Sequence, residues 1–143
     1  MSKIVERLAE LRRHLDHLRA LRPRVTGPEI LRRDLSLHND VLFSLLAVCQ
    51  AVIDLASELT ARRSLRFEDY TEAVRNLAVL PEFPEALVRD LVPLPGFRNV
   101  LIHEYVALDM ARVVEALDRL QPIEEFAEIV RRIETGESSG PTP

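Results

Sequence analysis

A chain of 143 residues with 47% hydrophobic and 29% charged side chains suffices for one domain with a sizeable core and is too short for two comfortable ones. Only 4 glycines point to an all-α protein rather than a sandwich of strands and turns, and a single cysteine, Cys49, excludes an internal disulfide framework and fits a reducing compartment. The formal charge of -4 speaks against a uniformly basic nucleic-acid binder, yet it averages two unlike halves: residues 1–66 carry 12 basic and 8 acidic side chains, residues 67–143 carry 7 and 15.

Ile4, Val5, Leu8, Leu11, Leu15, Leu18 and Leu21 recur at intervals of three and four, which predicts an amphipathic helix from Ser2 to about Leu21. Charges throughout its first ten residues leave no apolar core for a secretory signal. Pro23, Gly27 and Pro28 stop this helix, and Pro28 is suited to open the next, where its missing amide costs nothing. The second helix is expected from Pro28 to Ala61 without a break, apolar on nearly every side between Val41 and Leu59 and therefore the central element. Gln50, Asp54 and Glu58 interrupt that stretch, so no membrane span is expected and the protein is placed in the cytoplasm.

"RRSLRFEDY" reads as a connection, and a shorter helix follows from Phe67 to Leu80. Pro84 opens a further helix, and Pro93, Pro95 and Gly96 predict a kink or short break before Phe97. Helical spacing then resumes to about Val106. Asp109 is the expected N-cap of a helix from Met110 to Leu120, and Pro122 either begins a last segment to Glu134 or lies within one bent helix. The tail "TGESSGPTP", residues 135–143, has nothing to bury and is expected to be disordered, leaving residues 1–134 as a single helical domain.

The segment "GFRNVLIHEYVALD", residues 96–109, sets Arg98, Asn99, His103 and Tyr105 among aliphatic residues. At about 100° per residue, Arg98 and Tyr105 fall nearly on one line of a helix and Asn99 and His103 on a second, about 100° to 140° away. One helix does not close these into a compact pocket, which a long arginine side chain or a second copy of the helix across a two-fold axis can complete. A histidine can exchange a proton with a hydroxyl near neutral pH, and an arginine offers permanently charged donors to phosphate oxygens. RNA carries its own nucleophile, the 2′-hydroxyl, so a phosphodiester is a substrate this set can attack without a metal. The bland reading is a hydrogen-bonded core histidine and an arginine that merely caps or pairs.

The run Arg98-Asn99-Val100-Leu101-Ile102-His103-Glu104-Tyr105 resembles the Arg-x4-His-x-Tyr signature of the HEPN superfamily, in its HepT-like branch, the toxin half of HEPN/MNT toxin–antitoxin pairs. "AVCQAVIDLASEL" at 47–59, "FEDYTEAVRNLA" at 67–78 and "RVVEAL" at 112–117 resemble other helices of that family, so the likeness spans roughly residues 30–120. It implies an all-α bundle of five to six helices, forming a homodimer whose signature helices face each other across a cleft. The implied activity is metal-independent endoribonuclease action, with Arg98 and His103 as the catalytic pair and Asn99 as the polar neighbour that orients substrate or histidine. Tyr105 corresponds to the tyrosine that a partner nucleotidyltransferase antitoxin modifies with AMP in some members. No cofactor is implied. Pro93 and Pro95 depart from the family, where a helix more often continues. The alternative is a non-catalytic regulatory or substrate-binding subunit that docks a nucleotidyltransferase through the same cleft.

Other polar residues carry weaker signals. His14 and His17, three apart, have metal-compatible spacing but no evident third ligand. Asp54 within an apolar run needs a partner or must stay protonated, and it is expected to pair with an arginine of the dimer, more readily than to orient a residue in the cleft. The basic excess of residues 1–66 suits RNA or an oppositely charged partner, and equally suits solvated helix faces.

Overall fold

The computed structural model describes residues 3–136, and every regular element within them is helical. Helix α1 runs Lys3–Leu21, α2 Pro28–Arg33, α3 Leu35–Arg62, α4 Tyr70–Arg75, α5 Glu85–Leu91, α6 Leu94–His103, α7 Met110–Leu117 and α8 Gln121–Thr135. Helix α3 is the central element: α1 packs along it on one side, and α4 and α6 meet it elsewhere. Helix α8 closes the bundle against α1 and α5. The spacing of leucines in α1 accounts for its docking, since Leu11, Leu15 and Leu18 are fully buried while Arg13, Asp16 and His17 between them are exposed.

The predicted single helix from Pro28 to Ala61 is two helices. Asp34 takes an extended conformation, φ -99° and ψ 98°, and its carboxylate accepts from the Leu37 amide at 3.1 Å, so it caps α3. His38 ties the joint together, its Nδ1 lying 3.0 Å from the Leu31 carbonyl oxygen. By length and composition α3 does qualify as a membrane-span candidate, contrary to the expectation from its polar interruptions. Its apolar length is spent inside the chain, with Val41, Val48, Val52, Leu55 and Ala56 sealed from solvent.

The helix expected over Phe67–Leu80 is shorter: Asp69 caps α4 through the Glu72 amide, and residues Asn76–Val79 tighten into a 3-10 turn. At its other end α3 stops where Ser64 adopts the left-handed region, φ 62°, and the amides of Ser64 and Leu65 satisfy the carbonyls of Ala61 and Thr60. The expected break before Phe97 lies at residues 92–93, so Pro93 and Pro95 fall at the start of α6, where no intrahelical amide is required of them. Asp109 caps α7 through the Ala111 amide, as its position predicts. Helix α8 ends on Gly136 at φ 74°; the rest of the expected tail lies outside the described residues.

The charge split has an internal use. Arg12 and Arg19 of α1 both donate to Glu124 of α8, Arg22 donates to Asp118, Arg62 to Glu134 and Arg63 to Glu82. Much of the basic first half is thus neutralised by the acidic second half of the same chain. Partial burial pushes the Glu124 carboxyl up, but the hydrogen bonds and charges of Arg19 and Arg12 outweigh it and hold it below the ordinary glutamate value. Cys49 is sealed in the core, where burial pushes its thiol up to about 12, so it behaves as a small apolar residue.

Candidate functional site

Helix α6 carries Arg98, Asn99 and His103, and its anchor is apolar: Pro95 and Leu101 are buried, and Phe97 packs partly against the core beneath the Arg112 guanidinium, 5.9 Å from the ring centroid. That anchoring turns Arg98 toward α3 and leaves Asn99 and His103 exposed. Arg98 Nε donates to Gln50 Oε1 at 2.9 Å, and its Nη1 donates to Asn99 Oδ1 at 2.9 Å. A guanidinium has five N–H groups, so three remain for a ligand.

Behind Arg98 the contacts continue in a chain. Gln50 Nε2 donates to Asp54 Oδ1 at 2.9 Å, and Arg7 Nη1 of α1 donates to Asp54 Oδ2 at 2.7 Å. Asp54 therefore finds its arginine within its own chain rather than across a dimer, and through Gln50 it also bears on the orientation of Arg98. Gln50 drew no functional attention in the sequence. The available signal was its position one turn before Asp54 on the same face of an otherwise apolar helix.

Helix α6 ends at His103, three residues short of its expected end. Glu104 leaves the helical region, φ -129° and ψ 26°, and Tyr105–Ala107 form a 3-10 turn closed by the Ala107 amide on the Glu104 carbonyl. Leu108 is buried beyond it, so the chain turns here to reach α7. The alignment of Tyr105 with Arg98 along one helical line does not hold, because the backbone has left the helix before residue 105. Arg98, Asn99 and His103 do share α6. His103 sits in its last turn, five residues from Arg98, about 7.5 Å along the axis by helical rise. With the described residues His103 makes no hydrogen bond or ion pair, so its ring is free for a ligand.

The surface around this set is apolar. A shallow groove of about 290 Å³ between α3 and α6 is lined by His38, Asn39, Leu42, Phe43, Leu46 and Leu101. Phe43 is 64% exposed, and Ile102 and Val106, either side of His103, are 41% and 91% exposed.

The two histidines of α1 turn to separate partners on α3. His14 Nδ1 lies 3.0 Å from Ser44 Oγ with its ring edge-on to Phe43, and His17 Nε2 lies 3.9 Å from Asp40 Oδ2. Both have structural work that does not involve a shared ligand.

Comparison with known proteins places this arrangement. A family profile described as "Ribonuclease HepT-like" matches residues 7–133. Among solved structures, the chain resembles one from a toxin–antitoxin complex with AMP-PNP, at 21% identity and a TM-score of 0.76 over 91% of this chain and 99% of that one. It also resembles a tri-AMPylated Shewanella oneidensis HEPN toxin in complex with its MNT antitoxin, at 21% identity and a TM-score of 0.74 over 94% and 99% of the two chains. A search of curated proteins finds no match.

Proposed function

Because this chain belongs to the HepT-like ribonuclease family, we propose that it is the toxin of a HEPN/MNT toxin–antitoxin pair, a metal-independent endoribonuclease acting in the cytoplasm as a homodimer. The observation that carries the reading is the state of Arg98. Its guanidinium is gripped on two sides by Gln50 and Asn99 and keeps three N–H groups, while His103, on the same short helix, makes no hydrogen bond or ion pair with the described residues.

In the proposed reaction an RNA 2′-oxygen attacks the adjacent phosphorus and the 5′-oxygen leaves. His103 exchanges the proton that this displacement moves, as base toward the 2′-hydroxyl or as acid toward the leaving oxygen. Arg98 stabilises the charge that builds on the phosphoryl oxygens, and Asn99, bonded to Arg98, keeps its planar fork aimed. No step calls on a cofactor.

The second copy follows from two features. Arg98 and His103 lie about 140° apart around α6, so one helix does not enclose a phosphate. The groove lined by Leu42, Phe43 and Leu46, with exposed Ile102 and Val106 near His103 in the chain, offers apolar surface that suits a self-complementary contact across a two-fold axis. Pairing there turns two open half-sites into one cleft. Tyr105, in the turn that ends α6, is then the residue a partner nucleotidyltransferase modifies with AMP. The bulky, charged group would repel RNA phosphates at the mouth of the cleft.

The test is direct. Purified protein is incubated with a panel of structured and unstructured RNAs in the presence of EDTA, alongside His103→Ala and Arg98→Ala. Cleavage by the parent and its loss in both variants is expected. An intact RNA panel rejects the enzyme in favour of a non-catalytic subunit, and parent-like cleavage by His103→Ala removes His103 from the reaction.

A further inference from the structure

We infer that Gln50 is a positioning residue for Arg98, set in its role by Asp54 and Arg7. The inference rests on the reading of Arg98 as a catalytic arginine. Four side chains from three helices form one line of hydrogen bonds: Arg7 to Asp54 at 2.7 Å, Gln50 to Asp54 at 2.9 Å, and Arg98 to Gln50 at 2.9 Å. The ends of the line dictate the direction of the middle. A carboxylate only accepts and a guanidinium only donates, so the Gln50 amide must turn its NH2 to Asp54 and its oxygen to Arg98.

Glutamine is the residue type that this position requires. A leucine would leave Arg98 Nε without an acceptor. A glutamate would give Arg98 a stronger acceptor but press its second oxygen against Asp54, two like charges at hydrogen-bond distance. Glutamine grips Arg98 without adding a negative charge beside a site meant for phosphate, while Arg7 balances Asp54 at the far end. The arrangement also spares the useful donors. It occupies Nε, and Asn99 takes one Nη1 hydrogen, so the other end of the fork stays open.

Gln50 and Asp54 sit one turn apart on α3, the central helix, with Ala51, Val52, Ile53 and Leu55 buried around them. Arg98 is therefore aimed from α3 as well as by Asn99 of its own short helix. Holding a charged donor within a fraction of an ångström of its working position is where such support acts, and a misplacement of about 1 Å can cost about 10²-fold in rate.

The test uses the 15N-labelled full chain and the arginine Nε–H region of its NMR spectrum, the Arg98 signal being identified by its loss in Arg98→Lys. In the parent this proton should exchange with water roughly tenfold or more slowly than those of exposed arginines, and Gln50→Leu should remove that protection. The same substitution should lower kcat on RNA by about 10- to 100-fold with KM nearly unchanged. A swap of acid and amide, Gln50→Glu with Asp54→Asn, restores an acceptor for Arg98 and a donor behind it, and should regain much of the protection that Gln50→Leu loses. Circular dichroism establishes that each variant is folded, and Asp54→Ala supplies a second break in the line if Gln50→Leu is not. Fast exchange of the Arg98 proton in the parent overturns the inference, as does parent-like kcat once protection is gone. If the parent cleaves no RNA, the ribonuclease reading fails on its own, and the exchange measurements still decide whether Gln50 fixes Arg98.

Discussion

Arg19 and Glu124 stand 105 positions apart in the chain and meet at 2.8 Å, with Arg12 on the same carboxylate. The contact joins the first helix to the last and turns an imbalance of charge along the sequence into a clamp across the fold. Both arginines are about half exposed, so each pair is worth far less than a buried one. Glu124→Gln should lower stability by about 1 kcal/mol at neutral pH, read by urea unfolding. Its folded pKa lies below the ordinary 4.5, so the stabilisation is fully present above that value and disappears as pH falls through the lower folded value. The parent and Glu124→Gln stability curves should accordingly converge in acid, and curves that stay parallel down to about pH 3 would remove the clamp from the account.

Ser64 provides a second stability test. It is the described non-glycine residue with positive φ, 62°, at the turn that ends α3. A side chain in the left-handed region costs about 1–2 kcal/mol where glycine is nearly indifferent, an advantage that glycine's greater unfolded-chain entropy partly offsets. Ser64→Gly should raise the urea midpoint corresponding to about 0.5–1 kcal/mol, whereas Ser64→Val should lower it.

How far the fold was legible depended on whether its determinants were local. The leucine spacing of α1, the Asp109 cap and the prolines before α6 declare themselves within a few residues, and each appears where expected. Asp34 divides α2 from α3 with no glycine or proline to announce it, because a capping aspartate inside a run of helix formers looks like any charged surface residue. The end of α6 at His103 was hidden for a similar reason: no breaker follows, and the chain turns because Leu108 is buried and α7 must start at Met110. That ending removed the in-line placement of Tyr105. Within the site, Arg98, Asn99 and His103 were readable as a motif, whereas the grip of Gln50 on Arg98 joins residues 48 apart and belongs to tertiary packing alone.

The uncovered face around α6 predicts a dimer that a single charge should break. Phe43 is 64% exposed in the isolated chain, so Phe43→Glu should leave the helical content and melting temperature close to the parent's. In sedimentation equilibrium it should move the protein from dimer to monomer, and RNA cleavage should fall with it. A Phe43→Glu protein that remains dimeric would show that the copies meet elsewhere.

The proposed acceptor role of Tyr105 predicts that modification can be removed without loss of activity. Co-expression with an MNT-type nucleotidyltransferase should add one or more AMP masses to the parent chain and none to Tyr105→Phe, as read by intact-mass spectrometry. Tyr105→Phe should still cut RNA, because the hydroxyl has no assigned part in the displacement. Modification that persists in Tyr105→Phe would move the acceptor to another residue.

The most direct measurement of the central claim, that Arg98 and His103 cleave RNA through its own 2′-hydroxyl, is the chemistry of the ends produced. A defined oligoribonucleotide digested by the parent should yield a 2′,3′-cyclic phosphate and a 5′-hydroxyl, a 2′-deoxy substitution at the cut site should block cleavage, and His103→Ala should yield neither product. Fragments ending in 5′-phosphate, or cleavage that survives the 2′-deoxy substitution, would contradict the account.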